Sequence, residues 1–337
     1  MADTKPAQTP KGVPAEEIPT SERGRGEAVL QPGQLVGQKP GIRQSGTPHI
    51  SDISGAITTK NNQVFMLTAS TGDIIAGDNG QGLYFRDMRY LDQMEMLLGD
   101  QHAISLLADA SLGSQSIFEL TNPHMLLPNG YELPKERLSI RRTYDLRSEI
   151  TQTIEITNLD RVEVSFRLSL LFDTHFDDML VIRSFLAGPG KRGTLYGPQF
   201  TADTITLAYD GADQHHRSTR IQCVPKPTEI QGATAYYDVA LQPGAAVSIT
   251  ITLDLEDRGP NYDFEVGIVH TQKTAAEQHS AFDTVLSQVP AIETSNALFD
   301  RVLARSFNDL KMLATASHAD VYLAAGIPWY VALFGRD

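Results

Sequence analysis

The segment Ala324-Ala325-Gly326-Ile327-Pro328-Trp329-Tyr330-Val331-Ala332-Leu333-Phe334-Gly335-Arg336-Asp337 concentrates residue types that can grip a sugar. It holds the single tryptophan of the 337-residue sequence, with an Arg-Asp pair close behind it. An aromatic face covers the apolar face of a pyranose, and a guanidinium and a carboxylate hold hydroxyls by charge-assisted hydrogen bonds. The same residues also suit a buried Trp beside a structural ion pair, and spacing alone leaves both readings open. A carboxylate bonded to Arg has its pKa pushed down, so Asp337 reads as a binding group and not as a proton donor.

Other reactive side chains carry weaker signals. Gly77-Asp78-Asn79-Gly80-Gln81-Gly82 is glycine-rich, but no Lys-Ser/Thr follows, so it reads as a β-turn and not a phosphate cradle. Asp73 and Asp78 match no calcium-loop spacing. His215 and His216 are consecutive, and strand neighbours point to opposite faces, so joint metal binding is not expected. No metal site and no cofactor is assigned. Cys223 has Arg220 and Lys226 three residues to either side, which would lower a thiol pKa if they converged. Without a nucleophile motif around it, a small buried hydrophobe is the default. Asp177 and Asp178 are adjacent, so their side chains should diverge, and a solvated turn accounts for them. Glu132 and Glu136 flank Pro134 and read as surface residues.

Composition narrows the class. Asp and Glu number 41 against 28 Lys and Arg, a net charge of -13, which disfavours nucleic acid and anionic membranes as partners but not a neutral glucan. One cysteine excludes an internal disulfide and a multi-thiolate metal site. The N-terminus lacks the apolar core of a secretory signal, and no apolar run approaches a membrane span, so a soluble cytoplasmic protein is expected. The oligomeric state is left open.

Three regions follow. Residues 1–55 are rich in Pro, Gly, Gln and Ser without apolar periodicity, and a disordered tail is expected. Residues 56–257 alternate with period two, most clearly in Val162–Leu170, Val247–Leu255, Ile150–Ile156 and Thr204–Tyr209. Turns punctuate them at Pro128-Asn129-Gly130, Asn158-Leu159-Asp160, Asp210-Gly211 and Gln242-Pro243-Gly244. Clean alternation with short turns predicts a mainly β chain, a large antiparallel β-sandwich. Residues 258–337 change period. A helix is predicted from about Phe264 to Leu286, stopped by Pro290. A second, capped by Thr294 or Ser295, carries the stripe Phe299, Leu303, Phe307 and Leu310, widened by Val302 and Leu313. That stripe needs partners that residues 1–337 do not supply, so the chain reads as a fragment. Together with Trp329, Tyr330 and Phe334 the stripe makes residues 258–337 an expected aggregation liability.

Two sets of motifs resemble the bacterial glycogen-debranching, amylo-α-1,6-glucosidase-like family. In the sandwich they are Gly72–Asp100, including Gly82-Leu83-Tyr84-Phe85-Arg86-Asp87-Met88-Arg89, then Asn122–Arg142, then Leu170–Arg183, including His175-Phe176-Asp177-Asp178-Met179-Leu180-Val181-Ile182-Arg183. Met88 stands where the family usually has Thr, and His175 and Val181 where it usually has acids. The other set is Gly326–Asp337, similar to the entry into the family's catalytic six-hairpin (α/α)6 toroid, with Arg305–Leu310 fitting its first helix. The resemblance implies a short helical segment that begins this toroid. It further implies that Trp329, Arg336 and Asp337 bind the glucose at the cleaved end of an α-glucan. Arg86, Asp87 and Arg89 then form a candidate cleft loop, with an internal ion pair fixing a strand turn as the plainer alternative. Inverting glycosidases need two carboxyl groups roughly 6.5–9.5 Å apart. The resemblance places that pair beyond Asp337. A non-catalytic glucan-binding or scaffolding sandwich is the competing function.

Overall fold

The computed structural model describes residues 53–77, 79–183, 193–259, 292–317 and 320–331. The tail expected to be disordered lies outside them up to residue 52, as does the helix expected from about Phe264 to Leu286. The described chain is mainly β, 54% strand and 9% helix, as the alternation predicts.

Two large antiparallel sheets form the sandwich. The nine-stranded sheet runs in the order Thr194–Leu195, Thr204–Asp210, His216–Val224, Ala246–Arg258, Ile150–Asn158, Leu138–Asp145, Gln115–Thr121, Ile104–Asp109, with Gln199–Phe200 pairing beside Thr204–Asp210. The five-stranded sheet runs Glu229–Gln231, Thr234–Leu241, Val164–Asp173, Gln93–Leu98, Gln101–His102. Period-two patterning fixes the register, because a one-residue slip would turn every apolar side chain to water. Ile154 opposes Ile249, and Ile150 opposes Leu253, all facing the core. Phe166, Leu168 and Leu170 line it from the other sheet. Val162 was expected to open its strand. It is exposed instead, and the strand begins at Val164, because Asn158 turns its amide to the Val162 carbonyl (2.8 Å) and holds it in the turn.

Some inward positions of the alternation are polar, Gln152 and Arg142 among them. Gln152 is buried between Ile150 and Ile154, where it faces the buried Arg142. With its amide oxygen turned to Arg142 it accepts from both Nη2 and Nε at 2.7 Å. Arg142 also meets Asp73 Oδ1 at 2.5 Å and donates to the Thr71 carbonyl at 2.9 Å. A charge can be buried here because its donors are met by specific acceptors.

A third sheet positions the candidate site. Its four strands, Ile57–Asn61, Val64–Thr68, Gly82–Phe85 and Met88–Leu91, pair in chain order. Beside them sits a one-turn helix, α1 (Met179–Ile182), capped by Asp178, whose carboxylate accepts from Leu180 N at 2.7 Å. Helix α2 (Ala297–Leu313) follows the sandwich. Its cap is Asn296, not Thr294 or Ser295. The Asn296 side chain accepts from Leu298 N and Phe299 N, while Thr294 braces Asp300 with a 2.7 Å hydrogen bond. Of the expected apolar stripe, Phe299, Val302 and Leu310 are open to water, while Leu303, Phe307 and Leu313 are half-buried. Among the described residues no helix is long and apolar enough to cross a membrane.

Lys60, on Ile57–Asn61, ties α2 to the four-stranded sheet. Its ammonium is buried under the end of α2 and donates to Met312 O (3.0 Å), Ala314 O (3.0 Å) and Thr315 Oγ1 (2.9 Å). The last carbonyls of a helix lack partners within it, and a cation there also meets the negative end of the helix dipole.

Candidate functional site

The chain after α2 returns to the four-stranded sheet. Gly326 and Tyr330 exchange backbone hydrogen bonds, 3.2 Å from Gly326 N and 3.0 Å from Tyr330 N, closing a tight turn around Trp329. Trp329 was expected to be exposed. It is half-buried, because Ile327, Trp329 and Val331 pack on Phe65, Leu67, Tyr84, Met179 and Ile182. Phe65 and Tyr84 stack at 4.6 Å and 4°, which gives that platform a flat wall. Gly80 is needed here: a Cβ would lie 2.9 Å from Ile53 Cγ2 and 3.1 Å from the Trp329 ring.

Arginine 183, at the end of α1, stacks over this turn. Its guanidinium carbon lies 5.8 Å from the Trp329 ring centre and 5.1 Å from that of Tyr330. Its Nη2 donates to the Tyr330 hydroxyl at 3.4 Å, and Tyr330 is 48% exposed. Planar guanidinium groups favour such stacking. Neither Arg183 nor Tyr330 stood out in the sequence as a contact pair, because they are 147 residues apart. Arg336 and Asp337 lie outside the described residues.

The candidate cleft loop divides into two parts. Arg86 and Asp87 form the exposed two-residue turn between Gly82–Phe85 and Met88–Leu91, with Arg86 at φ 55. Arg86 stacks on Phe85 at 5.1 Å and donates to Gln63 Oε1 at 3.1 Å. The Asp87 carbonyl accepts from Met179 N at 2.8 Å, joining this turn to α1. Burial, and then the charge of Asp178, push the Asp87 carboxyl above its ordinary pKa. Burial, and then the charge of Asp87, likewise raise the Tyr322 hydroxyl above its ordinary pKa.

Arg89, in contrast, points inward and is buried. It donates to Asn79 O (3.1 Å), Gln81 O (3.3 Å) and Asp177 Oδ2 (3.1 Å), and lies 3.9 Å from Asp92 Oδ2. His175 completes the group, with Nδ1 2.5 Å and backbone N 2.9 Å from Asp92 Oδ2. For Arg89 the geometry is that of an internal ion pair. It clamps the glycine-rich turn, read from sequence as such, to the segment after Val164–Asp173. Burial works against the Asp92 carboxylate, but the hydrogen bond and charge of His175 and the charge of Arg89 outweigh it, leaving the pKa below the ordinary value. Ligand atoms of Asp92, His175 and Asp177 lie within 4.8 Å of one another. The positive charge that such a cluster attracts is supplied by Arg89 itself. Asp177 and Asp178 diverge as expected, but not in a solvated turn: Asp177 faces Arg89 and Asp178 caps α1.

The remaining candidates separate. His215 meets Asp257 at 2.7 Å and His216 meets Asp210 at 2.6 Å, so the two rings serve different acids. Cys223 is buried, and burial pushes its thiol up to about 11, while Arg220 and Lys226 are exposed.

Comparison with known proteins bears on the sandwich. Residues 59–252 match the family described as the N-terminal domain of (some) glycogen debranching enzymes. No curated protein matches. Among solved structures, a protein assigned as a kojibiose phosphorylase from the human microbiome is similar with a TM-score of 0.45 at 10% identity, over 79% of this chain and 37% of that one. Galactose mutarotase-like proteins are also similar: one from Lactobacillus casei at TM-score 0.33 and 11% identity, covering 60% of this chain and 100% of that one, and one from Clostridium acetobutylicum at TM-score 0.32 and 8% identity, covering 60% of this chain and 95% of that one. The chain thus spans 37% of the length of the phosphorylase that it resembles.

Proposed function

The chain belongs to the family of N-terminal domains of glycogen debranching enzymes, and on that premise we propose that it is the N-terminal part of a debranching-type glycoside hydrolase acting on α-glucans. The family match over residues 59–252 carries this reading. Trp329 is half-buried on the four-stranded sheet and α1, so in this reading it braces the wall from behind and leaves sugar contact to the groups around it. In this proposal Trp329, Arg336 and Asp337 form one wall of a glucose subsite, with the Arg86-Asp87 turn at its border. The linkage cleaved is α-1,6, as in amylo-α-1,6-glucosidases, and the protein works in the cytoplasm.

The acid and base of hydrolysis lie outside residues 1–337 in this account. Hydrolysis needs one carboxyl group free to protonate the leaving oxygen and another to activate water. The buried carboxylates Asp73 and Asp92 are committed to Arg142 and His175, and the half-buried Asp177 to Arg89. The domain organisation that follows is a tail over 1–55, a sandwich over 56–257 and the opening of a helical catalytic domain over 258–337.

The test is glucose release from an α-1,6-branched limit glucan by the product of the extended reading frame. Release of glucose is expected. Binding without release, by the longest product that the frame encodes, would instead make this a glucan-binding module.

A further inference from the structure

We propose that Arg183 and Tyr330 are the sugar-contacting pair on the sandwich side of this subsite, with Trp329 as the anchor that seats them. The inference rests on the subsite reading above and assigns two residues that it does not contain.

Trp329 has little ring surface left to offer. Its indole lies against Gly80, where even a methyl group would crowd it, and packs with the cluster of Phe65, Leu67, Tyr84, Met179 and Ile182. The Arg183 guanidinium covers it from above at 5.8 Å. Tyr330, the next residue, is differently placed. Nearly half of its surface is open to water, its ring lies 5.1 Å from the same guanidinium, and its hydroxyl meets Arg183 Nη2 at 3.4 Å. Exposed aromatic rings with a polar tip are suited to sugars, since the ring takes the C–H face and the hydroxyl bonds at the rim. A guanidinium lodged over two rings and bonded to one hydroxyl has less rotamer entropy still to lose on binding.

Each partner comes from a different part of the chain. Arg183 ends α1, which the Asp178 cap and the Asp87 carbonyl hold to the sandwich. Tyr330 sits in the turn that Gly326 closes. The sandwich therefore takes part in sugar recognition, and adjacent hydroxyls of a neutral glucose unit are the matching ligand chemistry.

Calorimetric titration of the full chain with maltotriose and panose tests this, with thermal melting as the check on folding. Arg183→Met keeps the apolar stem, and Tyr330→Phe keeps the ring. Each should weaken binding about five- to tenfold, the scale of one lost hydrogen bond, at an unchanged melting temperature. Arg183→Lys should not restore affinity, because an ammonium lacks the planar fork. Wild-type affinity in both Arg183→Met and Tyr330→Phe, alongside loss in Asp337→Asn, would overturn this inference and leave the subsite standing. No binding of either sugar by the wild type would overturn the subsite itself and this pair with it.

Discussion

Arg89 shows what a single side chain does for this site. It joins the turn at Asn79 and Gln81 to Asp177 and Asp92 across the sandwich edge, and it is almost fully buried. Removing one partner of a buried pair leaves an uncompensated charge, so Arg89→Met should destabilise the fold by about 3–5 kcal/mol in denaturant titrations. Asp92 adds a pH dependence. Its pKa is lower folded than unfolded, so its contribution is present above the ordinary carboxylate value of about 3.9 and is lost as pH falls through the folded value. Asp92→Asn should therefore flatten the acid limb of the stability curve, as read by urea midpoints at successive pH values. An equal acid slope in variant and wild type would remove Asp92 from this role. At this scale the sequence was half legible. It offered Arg89 as either cleft residue or internal pair, and it could not choose, because Asp92 and Asp177 reach Arg89 only through strand pairing. Arg183 and Tyr330 left no pattern at all, since their contact spans 147 residues.

Among elements, α2 and its lysine clamp have most consequence, because they lead the chain from the sandwich towards Trp329. Burial pulls the Lys60 pKa down to about 7 from 10.5. The unfolded chain then binds more protons than the folded one between those values, so the cost of burying this charge is full below pH 7 and relieved as pH rises to 10.5. Stability of the wild type relative to Lys60→Met should accordingly rise across that window. Limited proteolysis should also cut α2 faster in Lys60→Met, because Met312 and Ala314 lose their donor. Indifference of the α2 cleavage rate to this substitution would show that the clamp does not hold the helix. The strands were plainly legible where alternation was strict, as in Ala246–Arg258 with Ile249, Ile251, Leu253 and Leu255 all buried. The boundary at Val164 and the cap at Asn296 were misplaced by a few residues. In both cases an asparagine side chain bonds to nearby backbone and sets the boundary, and period counting does not register that.

At the scale of the whole molecule, the sandwich is followed by a helix that leaves Leu298, Phe299, Val302 and Leu310 open to water. Exposed stripes of this kind mark surfaces that bind something or aggregate. In the proposed enzyme the rest of the helical domain covers it, so residues 1–337 alone should bind a hydrophobic dye and self-associate more than the extended protein does. The family was legible from sequence because its motifs are local runs, and the match over residues 59–252 bears it out. The proposed glucose subsite was not, because the groups assigned to it come from α1, the Arg86-Asp87 turn and the Trp329 turn, which are far apart in the chain. Its most direct test is kinetic. In the full-length protein, Asp337→Asn and Arg336→Met should each lower kcat/KM for a branched limit glucan by about a hundredfold or more at unchanged thermal stability, because substrate hydroxyls then lose their charge-assisted partners in the transition state. Wild-type kcat/KM in both variants would contradict the glucose subsite.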